Sequence, residues 1–372
     1  MHAQRAIPCL FMRGGTSRGP FFQRGDLPAD PATRDRVLLA VMGSPDRRQI
    51  DGLGGAHPLT SKVGIVSRGD APGVELDFLF AQLQPGDDTV DVTANCGNML
   101  AAVVPFALET GLVAPRGDTS TFRVRTLNTD MTCDITVQTP DGRVRYDGAA
   151  RIDGVPGTAS PIAINFLDTA GSVCSGLLPT GHAHDEVRVP GAGELRVTCI
   201  DNGMPMVVMR AADLGRTGAE TVAELNADTE LKARLEALRL HCGALMGLGD
   251  VGKKAYPKMC LIAAPGHGGS IATRCFIPHV CHDAIGVLAA VTVGTACVLE
   301  GSVAHGLAVL APGAVKPVSV EHPTGEFTVE LELGASDPPT VTRAALLRTA
   351  RLIMRGEVMV PDTVWPREGA TR

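Results

Sequence analysis

The chain has 372 residues, 44% hydrophobic and 20% charged, with 34 Lys and Arg against 40 Asp and Glu and a formal charge of -6. This length suits two domains of roughly 150 to 190 residues rather than one core, and the composition excludes a disordered chain and a coiled coil. The acidic balance argues against a nucleic-acid partner, and 3% aromatic residues leave few platforms for stacking bases or sugars. The apolar run Ile7–Met12 is too short for a signal-peptide core, and no window reaches the roughly 18 apolar residues of a membrane span. Ten cysteines without a close CxxC pair point to a reduced, cytoplasmic protein rather than a disulfide framework.

Residues Ile7 to Phe22 read as strand, Gly-rich turn, strand, closing on Gly25-Asp26-Leu27. The turn Arg13-Gly14-Gly15-Thr16-Ser17-Arg18-Gly19 offers backbone donors, two hydroxyls and two guanidinium groups, so it reads as an anion-binding nest or an ordinary hairpin. It lacks the GxGxxG and GxxxxGK[ST] orders, which disfavours a nucleotide. A Gly-rich loop, Asp51 to Thr60, leads into Ser61-Lys62 and an apolar strand, Val63 to Val66. Lys62 is either a solvated gatekeeper or a cleft base, and the shaped loop before it favours the second.

Asn95-Cys96-Gly97-Asn98 stands just before an apolar helix, Met99 to Leu108. There the unpaired N–H groups and positive dipole end of a helix favour a thiolate able to act as base or nucleophile, and the same donors suit a carboxylate. A cysteine can also be a small buried hydrophobe, but two Asn and a Gly are odd neighbours for one.

Past a Pro/Gly/His-rich boundary at Leu178–Asp185, Leu195 to Met209 repeats strand, turn, strand, with the turn Asp201-Asn202-Gly203-Met204-Pro205 and the ending Ala212-Asp213-Leu214. Glu224 to Met246 has an amphipathic helical pattern with Leu225, Leu231, Leu235, Leu238 and Leu240. Lys258 opens an apolar strand as Lys62 does, and Leu288-Ala289-Ala290-Val291 matches Leu100-Ala101-Ala102-Val103. Phe327 to Leu333 alternates as a strand, whereas Arg343 to Val360 fits helix or strand.

The matches recur in one order at an offset of about 190 residues, which suggests a duplicated fold. We therefore expect an α+β protein of two pseudo-symmetric halves, each a mostly antiparallel sheet around a central helix, with the active site between them. The halves would be 1–184, holding Lys62 and Cys96, and 185–372, whose last strand is a candidate to return to the first. The position matching Cys96 is Ala284, so a two-cysteine racemase is disfavoured. His279-Val280-Cys281-His282 has neither the spacing nor the partner cluster of a metal site, and Cys297 reads as helix packing.

At Met12–Gly19, Ile50–Gly55, Thr60–Val63 and Asn95–Asn98 the sequence resembles the family of 2-methylaconitate isomerases and 4-oxalomesaconate tautomerases, PrpF-like proteins with the diaminopimelate epimerase fold. The resemblance extends through Arg151–Gly157, Leu178–Gly181 and Cys199–Pro205, nearly end to end, and Val41–Asp46 through Gly55 looks closest to the oxalomesaconate branch. It implies barrel-like halves and a proton shift that needs no cofactor and no metal, with Cys96 and Lys62 as the catalytic pair. Arg18 stands where the motif usually has Lys; it keeps the charge but cannot serve as a base.

The expected reaction is keto-enol tautomerisation of 4-oxalomesaconate in aromatic-compound breakdown, with cis-trans or allylic double-bond isomerisation of a related tricarboxylate such as 2-methylaconitate as the alternative. A non-enzymatic binder of small carboxylates is the reading from another class. Candidates for holding the substrate are Gly15, Thr16, Ser17, Arg18, Ser61, Asn95, Gly97, Asn98, Asn202, Gly203 and Met204. The expected partner is a small unsaturated tricarboxylate, with no nucleic acid and no membrane, and a homodimer accords with such folds.

Overall fold

The structure is a computed structural model, and it describes residues 4–93, 95–167, 169–335 and 341–366. It is a sheet-dominated α+β protein whose chain divides into two compact units, residues 1–167 with 348–372, and residues 168–347. None of the described helices is long and apolar enough to cross a membrane.

In the first unit, β1 (Gln4–Gly14) and β2 (Ser17–Gln23) form an antiparallel hairpin, and β3 (Lys62–Arg68) runs parallel to β2. β4 (Leu76–Leu83) is antiparallel to β3 and carries the short β5 (Val90–Asp91) beside it. β6 (Thr119–Thr126) continues parallel to β4, followed antiparallel by β7 (Met131–Gln138) and β8 (Ile162–Phe166). Both faces of the sheet are covered, so β1 to β4 read as nearly continuous apolar runs instead of alternating.

Helix α1 (Pro31–Met42) packs Val37, Leu38, Val41 and Met42 against Phe22, Val63, Ile65 and Leu83 on one face. On the other face Phe21 stacks with Phe78 and meets Phe106 of the buried helical segment, at ring-centroid distances of 6.5 and 5.8 Å. That segment is expected as one helix but is two, α2 (Gly97–Leu100) and α3 (Val103–Glu109). Pro105 explains the break: it has no N–H for the Ala101 carbonyl four residues back, and its ring crowds that carbonyl.

The second unit has β9 (Asp185–Val189), β10 (Gly193–Asp201) and β11 (Pro205–Arg210) in antiparallel order, then β12 (Lys258–Ala263) parallel to β11 and β13 (Ile271–Phe276) antiparallel to β12. β14 (Val315–His322) is parallel to β13, and β15 (Gly325–Leu333) and β16 (Val341–Arg348) follow antiparallel. The amphipathic stretch is α4 (Val222–Ala227) and α5 (Thr229–Leu245), split at Asp228, whose carboxylate caps α5 by accepting from Leu231 N at 2.9 Å. Leu231, Leu235, Leu238 and Cys242 face the sheet, whereas Leu240 lies in solvent. Helix α6 (Val287–Val298) is buried against the opposite face.

The ambiguous segment 343–360 is strand: it supplies most of β16 and of β17 (Ala350–Pro361), and β17 pairs antiparallel along β1 in the first unit, from Gln4 against Pro361 to Gly14 against Ala350.

Candidate active site

The β1–β2 turn lies directly on the start of α2. A Cβ on Gly14 would stand 2.3 Å from the Asn98 carbonyl oxygen, and one on Gly15, where φ is +51°, would stand 2.1 Å from Asn98 Oδ1. Only glycine permits that approach. Asn98 Nδ2 then donates to Thr16 Oγ1 at 3.0 Å. On the other side Gly15 N donates to Thr349 O at 2.8 Å, and Arg13 Nη1 reaches Gly15 O, Thr349 O and Thr349 Oγ1 at 2.8 to 3.1 Å. Burial, then the charge of Arg351, holds the Arg13 guanidinium below its ordinary value. Arg13 therefore braces the turn, and Arg18 is exposed, 5.8 Å from the Phe11 ring centroid. Ser17 is 1% exposed, and its hydroxyl has no hydrogen-bond partner among the described residues.

Lys62 opens β3 and is 7% exposed. Its ammonium donates to Gln82 Oε1 at 2.5 Å and lies 4.8 Å from the Phe80 ring centroid. Gly19 makes this possible, because a Cβ there would fall 1.7 Å from the Lys62 carbonyl oxygen. The neighbouring Ser61 is fully buried, with its hydroxyl 2.9 Å from both Gln49 Oε1 and the His57 carbonyl. Gln49 Oε1 also accepts from Ala56 N, so Gln49 shapes the Gly-rich loop before Lys62.

Cys96 is the N-cap residue of α2, in extended conformation, with a half-buried thiol. Beside it Asn95 donates to Thr129 Oγ1, while its Oδ1 is buried without a partner among the described residues. Asn128 ties the region together. It bonds both the N–H and the carbonyl of Phe80, at 2.9 and 2.8 Å, and the Val92 carbonyl at 2.7 Å. One amide thus pins the strand under Lys62 to the segment leading into Cys96. The β1–β2 hairpin does the same from the other side, with Gly14 and Gly15 on Asn98 and Gly19 on Lys62.

In the second unit the Asn202–Met204 turn sits on α6: Gly203 has φ +91°, and a Cβ there would be 3.0 Å from Leu288 Cδ2. The Asn202 amide is occupied, accepting from Thr169 Oγ1 at 2.6 Å and donating to Thr295 Oγ1 at 2.8 Å. Thr292 Oγ1 bonds the Asn202 and Met204 carbonyls. The first unit accordingly brings together Gly15, Thr16, Ser17, Ser61, Lys62 and Asn95 through Asn98, and the second holds Asn202, Gly203 and Met204. Gln82 and Asn128 are absent from the expected set. Gln82 had a sequence signal, since a polar residue directly opposite Lys62 interrupts the apolar run of β4; Asn128, in a turn, had none.

Residues 4–361 match the family described as PrpF protein. The chain is 55% identical over 355 residues to the (4E)-oxalomesaconate Delta-isomerase of Novosphingobium sp. (strain KA1), covering 95% of this chain and 98% of that protein. It is 52% identical over 362 residues to the 4-oxalomesaconate tautomerase of Pseudomonas putida, covering 97% and 98%. The 2-methyl-aconitate isomerase of Shewanella oneidensis is 34% identical, with 96% and 98% covered. Among solved structures, that of a methylitaconate-delta-isomerase superposes with a TM-score of 0.83 at 33% identity, covering 99% of both chains. With the glycine turn, the lysine and the helix-start cysteine all lying inside the matched span, the chain belongs to the PrpF family.

Proposed function

We propose that this protein is a cofactor-independent isomerase that moves a proton within 4-oxalomesaconate, converting its keto and enol forms. The observation that carries the substrate is identity above one half, over nearly the whole chain, to two proteins named for it, and the one at 52% is named a tautomerase. The site chemistry supports it. A C–H flanked by a carbonyl and a conjugated double bond is acidic enough for a side-chain base, and donors around the carbonyl stabilise the enolate that forms. One of Lys62 and Cys96 takes the carbon-bound proton, the electron pair moves onto the carbonyl oxygen, and the other supplies a proton there. Nothing is oxidised or reduced.

Returning the proton to a distal carbon instead of the oxygen gives an allylic double-bond isomerase. The name of the relative at 55% identity, (4E)-oxalomesaconate Delta-isomerase, and those of relatives at 35 and 34%, 3-methylitaconate isomerase and 2-methyl-aconitate isomerase, favour this second reading. Gly15, Thr16, Ser17, Arg18, Asn95, Gly97 and Asn98 are proposed to hold carboxylate and enolate oxygens. Ser61 and Asn202, whose side chains are engaged, would act by fixing the backbone around them, and Gly203 and Met204 form a further carboxylate-binding turn. We also propose a duplicated, epimerase-like fold. Each unit follows a hairpin with a parallel strand opened by lysine, Lys62 or Lys258, and buries a helix on one face.

The test is deuterium uptake and ultraviolet change of 4-oxalomesaconate in D2O. Wild type should exchange rapidly, and Cys96→Ser and Lys62→Met should each lose at least about a hundredfold. Both variants within threefold of wild type would overturn the catalytic pair. An inert wild type would move the assignment to the double-bond reaction, tried next with a methylated substrate; inertness there too would favour a carboxylate binder.

A further inference from the structure

We infer that Gln82 is a positioning residue that aims Lys62 and lets it exchange its proton, an inference that rests on the acid–base role proposed for Lys62. The amide orientation is settled by its surroundings. Gln82 Nε2 faces three backbone carbonyls, Leu83 O at 2.8 Å, Pro58 O at 3.1 Å and Ser61 O at 3.2 Å. The flipped amide would press its oxygen against those carbonyls and its N–H groups against the ammonium. Gln82 Oε1 must therefore face Lys62 Nζ. The acceptor is held by the segment that delivers Lys62, since Ser61 and Pro58 precede it directly, so lysine and amide are fixed in one frame.

The chemistry follows from that acceptor being neutral. An amide oxygen accepts a hydrogen bond from an ammonium and equally from an amine, which keeps two N–H donors, so the side chain stays aimed when its proton leaves. A carboxylate here would bind the charged form selectively and oppose proton loss. Lys62 forms no ion pair among the described residues. The titratable groups on elements packed around it are otherwise engaged or lie elsewhere. Asp77 of β4 pairs with Arg125 and Glu109 of α3 with Arg355. Asp91 of β5, in register with Gln82, accepts from Thr93. Arg24 and Asp26 follow β2 beyond Gln23, which pairs with Val66 toward the far end of β3. Arg18 and His57 stand near the lysine's end of the strand, Arg18 beside the Gly19 that meets the Lys62 carbonyl and His57 through its own carbonyl on Ser61.

The experiment measures kcat and KM against pH for wild type, Gln82→Met, Gln82→Glu and Lys62→Met, with thermal melting of each. Gln82→Met should lower kcat about tenfold or more with KM within about threefold. Gln82→Glu, nearly the same shape, should move the lysine-dependent limb of the pH–rate profile at least about one unit alkaline, whichever way Lys62 transfers its proton. A limb in its wild-type place in folded Gln82→Glu, or a Gln82→Met variant that only melts lower and turns over normally, would overturn the inference while Lys62→Met stays inactive. Full turnover by Lys62→Met would instead overturn the acid–base reading beneath it.

Discussion

A buried hydroxyl with nothing to bond costs stability, so Ser17 is worth testing for what it gives in return. Truncating a group that is already unpaired removes a desolvation penalty and no protein hydrogen bond. Ser17→Ala should therefore melt at or above the wild-type temperature and yet raise KM about tenfold, if a substrate oxygen completes the bond. A lower melting point with unchanged KM would mean the hydroxyl serves the fold. Glu321 illustrates the opposite bargain. Although burial pushes its carboxyl up, backbone N–H groups of Gly266, Gly269 and His267, bonded at 2.7 to 2.8 Å, bring it below its ordinary value of 4.5. A carboxyl lowered by folding stabilises the protein above its ordinary range, and that contribution is lost as the pH falls through the lowered value. Glu321→Gln should cost about 1 to 3 kcal/mol near neutrality, and urea titrations should show the gap to wild type closing in acid. At this scale Lys62 and Cys96 stand out in the sequence as candidates, Lys62 opening an apolar strand after a Gly-rich loop and Cys96 preceding an apolar helix between Asn and Gly. Of the partners that hold them, Gln82 shows in the sequence only as a polar break in an apolar run, its place opposite Lys62 coming from the strand pairing, and Asn128, which reaches β4 from 48 residues away, does not show at all.

The hairpin β1–β2 is the element on which the candidate pair depends, because its glycines touch both sides. Gly19→Ala forces its methyl into the Lys62 carbonyl, so the start of β3 must shift. Activity should fall on the order of a hundredfold, since misplacement of about 1 Å suffices for that. A variant that folds with normal kcat would show that the strand yields harmlessly. Both hairpins, the strands opened by lysine and the buried helix α6 were legible from apolar runs bounded by turn residues. Helix continuity was not. Pro105 inside α3 and Asp228 between α4 and α5 each interrupt a stretch whose hydrophobic spacing reads straight through, because periodicity reports the buried face and not the backbone bonds. Arg343 to Val360 resisted assignment for a related reason: its pairing partners lie on β15 and, across almost the whole chain, on β1.

Over the whole molecule the ten cysteines are all free, and only Cys96 and Cys174 are not buried. Burial, reinforced by the charge of Asp201, pushes the Cys174 thiol up to about 12, and Cys297 inside α6 is likewise raised to about 12. Brief iodoacetamide treatment near neutral pH should label Cys96 first, with substrate protecting it, as read by peptide mass spectrometry. Labelling at Cys174 with Cys96 untouched would argue against a reactive site thiol.

The return of β17 to β1 also orders events in time. On the ribosome, residues 168–347 emerge as a contiguous block, whereas the first unit waits for a strand made after all of them. Until then β1 offers an open edge over most of its length, the kind of surface that recruits stray strands. The nascent chain is thus most exposed to aggregation late in translation, when the second unit is already whole and the catalytic candidates are not yet backed by their closing strand.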